Sequence, residues 1–213
     1  MSALLILGAG GHGKVVADAA TERWRSIAFV DHRFPDHFPG GARVGAWPVV
    51  GHPTDLATFT ETYPSLVVAI GDNIRRLEWV DTAVRLGFHI PNIIHPSARS
   101  PIDGPSTSPS GSVIFAKATV APSASIARGC IINTAAAIDA GVRLGAGVHV
   151  SPGATVGAGS EIGDRCWIGI GATIAPGLRL APGTIVGAGA RVTNSPGYRC
   201  LLLGVPAMPH PAP

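Results

Sequence analysis

The sequence predicts a chain in two parts: an N-terminal α/β domain with a parallel sheet, followed by a left-handed parallel β-helix. Three observations carry this prediction. From Ile114 an aliphatic residue recurs at every sixth position, through Val120, Ile126, Ile132, Ile138, Leu144, Val150, Val156, Ile162, Ile168, Ile174, Leu180 and Val186 to Val192. A fixed short period of this kind marks a solenoid. The first 95 residues lack that period and alternate short apolar runs with helical patterns, as β-α-β units do. Composition agrees, because 28 glycines, 19 prolines and only 14% charged residues suit many short strands joined by tight turns. The positive mean hydropathy argues against a disordered chain.

The repeat has a physical reading. Two residues before the aliphatic position the side chain is usually small, as at Ala118, Ala124, Cys130, Ala136, Ala154, Ser160, Cys166, Ala172 and Ala190. The residue just after it is often glycine: Gly145, Gly157, Gly163, Gly169 and Gly187. Each hexapeptide then makes one short strand and one turn, and three hexapeptides close a triangular coil. The aliphatic residue points into the prism and the small one fits the corner. Coils stack as parallel strands about 4.8 Å apart. The handedness is an exception to the right-handed crossover rule. Cys130 and Cys166 lie two coils apart, about 10 Å, too far for a disulfide. With Cys200 they read as reduced core fillers. The β-helix is expected over residues 96–195, with 196–213 as a C-terminal tail. Between Ser100 and Ile114 the spacing exceeds the repeat by two residues in a Pro- and Ser-rich stretch, which predicts a disrupted first coil and a mobile loop.

Residues 1–95 read as a Rossmann-like domain. Leu4 to Leu7 is a buried strand, and the GAGGHG that follows sets Gly8, Gly10 and Gly13 in the spacing G-x-G-x-x-G. A helix is expected over Lys14–Trp24, a second strand over Ile27–Val30 ending at Asp31, and a third over Leu66–Ile70 with a Gly-Asp-Asn turn. Another helix follows over Ile74–Leu86, then a last strand near Phe88–Ile94. A glycine loop at a helix N-terminus suits a phosphate, and an acid after the second strand suits a ribose or base. Only about half of a dinucleotide domain is present, so a nucleotide-sugar fits better than a dinucleotide.

Several classes are excluded by the residues. A formal charge of +3 with scattered basic residues gives no nucleic-acid surface. No apolar run approaches the roughly 20 residues of a membrane span. The N-terminus lacks a basic leader region, so the chain is expected to be cytoplasmic. A zinc site would need three histidines, whereas the repeat holds only His149, so no metal is expected.

The segments GAGGHGKVV, FVDH, AIGDN, NIIHPSA and the hexapeptides ending in GVPA together resemble the NeuD/PglD family of sugar acetyltransferases. The resemblance spans almost the whole chain. It implies transfer of acetyl from acetyl-CoA to a sugar hydroxyl or amine by a homotrimer. In the amino-sugar branch the small domain holds a UDP-sugar, and CoA lies along the β-helix between subunits. It further implies that Gly10, Gly11 and His12 lie near the sugar or its diphosphate and Asp31 near the uracil or ribose, with Asp72 and Asn73 in the same cleft. Asn133 matches the asparagine of the family's Asn-Thr motif, and His149 a second histidine close to the acyl donor. Gly169, Ile170 and Gly187 would present backbone groups to the pantetheine arm. Relatives commonly carry a basic residue after GVPA, where this chain has Met208, so Arg191 or Arg199 is left to meet the CoA phosphates.

One departure decides the chemistry. The family's catalytic histidine falls on Ala140 and the acid after it on Gly141. A sugar hydroxyl needs a base, whereas a neutral amine is already nucleophilic and can lose its proton later. The sequence therefore favours an N-acetyltransferase acting on an amino-sugar nucleotide, over a sialic-acid-type O-acetyltransferase or a trimeric binding homologue that has lost activity. Asp139 and His149 flank Ile138 and Val150 and should face outward. They are the two candidates to replace the missing base. Trp167, beside Ile168, is expected outside the prism at the subunit seam.

Overall fold

The computed structural model describes residues 3–101 and 111–211. The expected disrupted coil and loop fall largely on residues 102–110, outside the described residues. The chain divides into two compact units, Met1–Ile93 and Ile94–Pro213.

In the first unit, strands β1 (Ala3–Leu7), β2 (Ser26–Val30), β3 (Arg43–Val44), β4 (Trp47–Gly51) and β5 (Ser65–Val68) form one sheet in the order β3-β4-β2-β1-β5. All neighbours are parallel except the β3/β4 pair. Central β1 is buried along its whole length, which is why ALLIL has no polar alternation. Helices α1 (Gly11–Ala20) and α2 (Asn73–Arg85) complete the unit. Helix α1 begins three residues before the expected start, since the glycine loop itself makes the first turn and the Lys14 N–H donates to the Gly10 carbonyl. The expected last strand does not form as one piece. His89 makes a single bridge to Ser65, and Ile93–Ile94 pairs within the hexapeptide stack instead.

Gly13 explains the glycine spacing. A Cβ there would lie 2.0 Å from the Gly8 carbonyl oxygen and 3.1 Å from the Phe29 ring. Helix, loop and sheet meet too closely for any side chain. Gly13→Ala is expected to cost the first unit about 2 kcal/mol or more by overpacking. Urea unfolding would show an earlier transition for that unit, with the hexapeptide transition unmoved.

The second unit is a left-handed parallel β-helix with three faces. Rungs Val113–Ile114, Ile131–Ile132, His149–Val150, Trp167–Ile168 and Ile185–Val186 stack on the first face, capped by Leu201–Leu203. The second face carries Thr119–Val120, Ala137–Ile138, Thr155–Val156, Thr173–Ile174 and Arg191–Val192, and the third carries Ser125–Ile126, Arg143–Leu144, Glu161–Ile162 and Arg179–Leu180. Each rung pairs with the one 18 residues on, as Ile132 does with Val150. The second residue of each rung is the aliphatic anchor, and all fourteen anchors belong to one core with Cys130, Cys166 and Cys200. Burying each such side chain stabilises the prism by roughly 1.5–3 kcal/mol. Burial also pushes the Cys166 thiol up to about 11, so it stays protonated and inert.

Two glycine positions in the repeat have separate causes. Directly after the anchor, a Cβ at Gly169 would sit 2.6 Å from backbone atoms of the coil above, so stacking demands glycine. Three residues after the anchor the backbone is left-handed, as at Gly141 (φ 67°), Gly153 (φ 66°) and Gly171 (φ 64°). Ala135 (φ 55°) occupies the same position with a side chain.

The outward residues differ by face. The third face carries an exposed ladder in which Glu161 accepts from both Arg143 and Arg179. The first face presents Val113, Ile131, His149 and Trp167 in register. His149 is 7% exposed and Trp167 37%.

Candidate active site

Two groups of residues emerge, one in each unit. In the first, the carbonyl ends of β1 and β2 and the start of α1 border an open cavity of about 450 Å³, lined among others by Gly8, Gly10, Asp31, Arg33, Pro53, Glu78 and Trp79. Gly10 and Gly11 are exposed, and a Cβ on either would meet nothing within 4 Å. The helix N-terminus is thus bare, with amide groups available for an anion.

Asp31 stands at the cavity, but its carboxylate is already satisfied. Oδ2 accepts from the Ala9 N–H (2.8 Å) and from Arg33 Nη2 (3.1 Å), while Oδ1 accepts from the Arg33 N–H (3.0 Å) and Nε (2.8 Å). Four donors fill the roughly four lone-pair sites of a carboxylate. Burial opposes its ionisation, yet the Arg33 and Ala9 bonds outweigh that and hold its pKa at about 2. Asp31 therefore ties the glycine loop to β2 and sets Arg33. Asp72 caps α2 by accepting from the Arg75 N–H at 2.8 Å. Asn73 is buried, and its Oδ1 accepts from Arg76 Nη2 at 2.7 Å. Arg76 is 1% exposed and also donates to the carbonyls of Ile70 and Gly71, which shapes the Gly-Asp-Asn turn. Arg33 and Arg76 were not legible as site residues in the sequence. A basic residue two positions after the strand-end acid, and another one helical turn after the Asp-Asn cap, were the available signals.

His12 is pushed down to about 4, first by burial and second by the charge of Arg76. A histidine with a folded pKa below its unfolded value of about 6.5 is protonated in the unfolded chain first. The resulting stability is complete above about pH 6.5 and lost as pH falls towards 4, by at most about 3 kcal/mol. Urea midpoints between pH 7 and 4.5 should fall for the protein and fall less for His12→Gln. The loss tied to Asp31 has the same sense, but it begins only below about pH 4, as the pH drops through the interval between the unfolded and folded values.

The second group lies on the corner between the first and second faces of the β-helix. Asn133, Ser151, Gly169 and Gly187 each follow a first-face anchor and form one column at 18-residue spacing. Thr134, Pro152, Ile170 and Ala188 form the adjoining column, and Ile170 is 62% exposed. Gly169 is buried beneath the coil above, and the Leu203 side chain takes the space that a Cβ at Gly187 would need. The N–H groups of both glycines donate within the ladder, to Val186 and Leu202 carbonyls. Stepping 18 residues from Asn133 would have revealed Ser151 as a member of this column.

Asn133 and His149 are brought together. Asn133 Oδ1 accepts from the Thr134 N–H at 2.8 Å, which orients the amide so that Nδ2 meets His149 Nε2 at 3.3 Å. Nε2 therefore carries a lone pair and Nδ1, which is buried, carries the ring hydrogen. The Trp167 ring packs on the imidazole, centroids 4.2 Å apart, which fixes its plane. Asp139 is not part of this group. It is exposed at the next corner, between the second and third faces, and its Oδ1 accepts from the Ala140 N–H at 2.7 Å. Ala140 is also exposed there. One face of the prism separates the two groups within a chain. Among the described residues no cluster of three or more His, Cys, Asp or Glu could hold a metal ion.

Comparison with known proteins places this architecture. Residues 3–83 match the model of the PglD N-terminal domain, and residues 159–194 match that of the bacterial transferase hexapeptide. The chain is 33% identical to perosamine N-acetyltransferase from Caulobacter crescentus, solved as a histidine-to-asparagine mutant with CoA and GDP-perosamine. The match covers 100% of this chain and 98% of that one, with a TM-score of 0.86. The chain belongs to the PglD family of sugar acetyltransferases. A second family member, the acetyltransferase domain of PglB from Neisseria gonorrhoeae in complex with acetyl coenzyme A, is 35% identical. There the match covers 97% of this chain and 98% of that one, with a TM-score of 0.86. No curated protein sequence matches the chain. Family membership accounts for the joined glycine-loop domain and hexapeptide prism.

Proposed function

We propose that the protein transfers the acetyl group of acetyl-CoA to the amine of a nucleotide-linked amino sugar. The observation that carries this reading is the Asn133–His149 pair on the corner whose column continues into Gly169 and Gly187, in a chain matched end to end by a sugar N-acetyltransferase. The neutral amine attacks the thioester carbonyl, the tetrahedral intermediate collapses, and the CoA thiolate leaves. The amine must also shed a proton, and His149 Nε2 is the lone pair the corner offers for it. Asn133 Nδ2 holds that lone pair only weakly at 3.3 Å and yields it to a substrate. The acyl donor lies along the column of Gly169, Ile170 and Gly187.

An amine acceptor is favoured over a hydroxyl by Ala140, since the position that supplies the family's strong base holds a methyl group. A histidine-to-alanine mutant of the Caulobacter enzyme was also solved in complex with CoA and GDP-perosamine. A homotrimer is part of the proposal. Asp139 and Ala140 lie a face away from Asn133 and His149, so a single site containing both needs the edges of two copies. Gly10, Gly11 and His12 would border the diphosphate, and Asp31, Asp72 and Asn73 would shape the cleft around it. No helix among the described residues is long and apolar enough to cross a membrane, and a cytoplasmic enzyme fits its two soluble substrates.

The test is release of CoA thiol from acetyl-CoA across a panel of GDP-, UDP- and dTDP-linked amino sugars, with acylated product identified by mass. Activity should require the free amine and survive in Asp139→Asn. A protein whose melting temperature is unmoved by acetyl-CoA would defeat the transferase reading.

A further inference from the structure

The nucleotide cavity carries more information than its glycine loop. With the Asp31 carboxylate saturated, the polar side chains left to meet a nucleotide at the end of β2 are those of the exposed His32 and of Arg33. The Arg33 guanidinium is fixed on two sides. Nε and Nη2 grip Asp31, and the plane lies over Phe38 with Cζ 5.0 Å from the ring centroid. The edge of the guanidinium that Asp31 does not use, Nη1 with the second hydrogen of Nη2, is a rigid pair of parallel N–H donors. Glu78 and Trp79 on α2 line the same cavity and bring a carboxylate and a flat apolar wall.

We infer that Arg33 is a specificity-determining residue that reads the base, and that the nucleotide carried by the sugar substrate is a guanosine diphosphate. The inference rests on the proposed function and names its substrate class. The diphosphate belongs at the start of α1, so a group at the end of β2 meets the nucleoside. Guanine presents two adjacent acceptors, O6 and N7, which match a two-donor fork, and adenine opposes that fork with its own amino donor. Uracil offers one acceptor on the corresponding edge, with a donor beside it. Guanine also presents two donors, N1–H and the 2-amino group, to a carboxylate such as that of Glu78. An Arg–Glu pair in one cavity can thus make two hydrogen bonds to guanine on each edge, where uracil and adenine offer at most one on each.

Calorimetric titration of the intact protein with GDP, UDP and ADP tests this without any turnover. GDP is expected to bind roughly 10- to 100-fold more tightly than UDP or ADP. Arg33→Lys keeps the positive charge beside Asp31 and loses the fork, so it should bring GDP and UDP within about threefold of each other while leaving UDP affinity near its original value. Equal affinities in the unaltered protein would overturn the inference. So would an Arg33→Lys variant that loses GDP and UDP affinity alike, because that marks a phosphate contact. If GDP selectivity is found but no amino sugar is acetylated, the base inference stands and the proposed activity fails. If only UDP-linked amino sugars are acetylated, the activity stands and the base inference fails.

Discussion

His149→Ala is expected to lower kcat for the amino-sugar reaction by about 10²–10³-fold, within the range that a positioned proton acceptor supplies. The KM for acetyl-CoA should change far less. His149 immediately precedes the anchor Val150, so its side chain points outward from the first face. The Asn133 amide, oriented by the Thr134 N–H, assigns the lone pair to Nε2. Trp167 packs against the ring at a tilt of 52° and holds it. Loss of packing alone would lower activity through stability, in step with a lower melting temperature. Loss of a proton acceptor lowers kcat in enzyme that remains fully folded. Asn133→Ala provides the contrast. It frees the lone pair while leaving the imidazole in place, and it should cost much less than His149→Ala. A folded His149→Ala enzyme with unchanged kcat would show that the proton goes elsewhere.

The distinction between Asp139 and His149 is one that the aliphatic period by itself does not make. Both residues adjoin an aliphatic anchor, so the period alone sends both outward. What separates them is the corner each occupies, and that follows from counting hexapeptides modulo three. Asn133 and His149 differ by 16 residues, which brings them to adjacent coils on one corner, whereas Asp139 lies one hexapeptide further round the same coil as Asn133. The fold itself was legible because an aliphatic anchor every six residues has no other economical packing, and the anchors did form one core. Strands β3 and β4 were missed because WPVVG contains a proline and sits among glycines, a signature that usually argues against a strand. It is tolerated here one strand from the sheet's edge. Arg33 was hidden for a different reason. Sequence reasoning assigned the ribose or base to the strand-end acid, and only the hydrogen-bond count reveals that Asp31 has no lone pair to spare.

Ala140→His is expected to raise kcat, and to restore activity to His149→Ala by about 10²-fold or more, the scale of a regained general base. The backbone permits the change. Gly141, not Ala140, takes the left-handed conformation of this turn, and Ala140 is exposed, so an imidazole needs no shift of the main chain. Asp139 beside it is held by its own turn through the Ala140 N–H. Within one chain, however, a histidine at this corner cannot reach the Asn133 corner across a full face of the prism. Rescue therefore reports on assembly as well as on chemistry. It requires the second-third corner of one copy to face the first-second corner of another. The activity regained by the double variant should then fall on dilution below the concentration at which the trimer dissociates, as followed by light scattering. Rescue that persists in a dissociated monomer would contradict the two-edge site. A double variant that is trimeric yet as inactive as His149→Ala would show that the edges do not meet at the acyl donor.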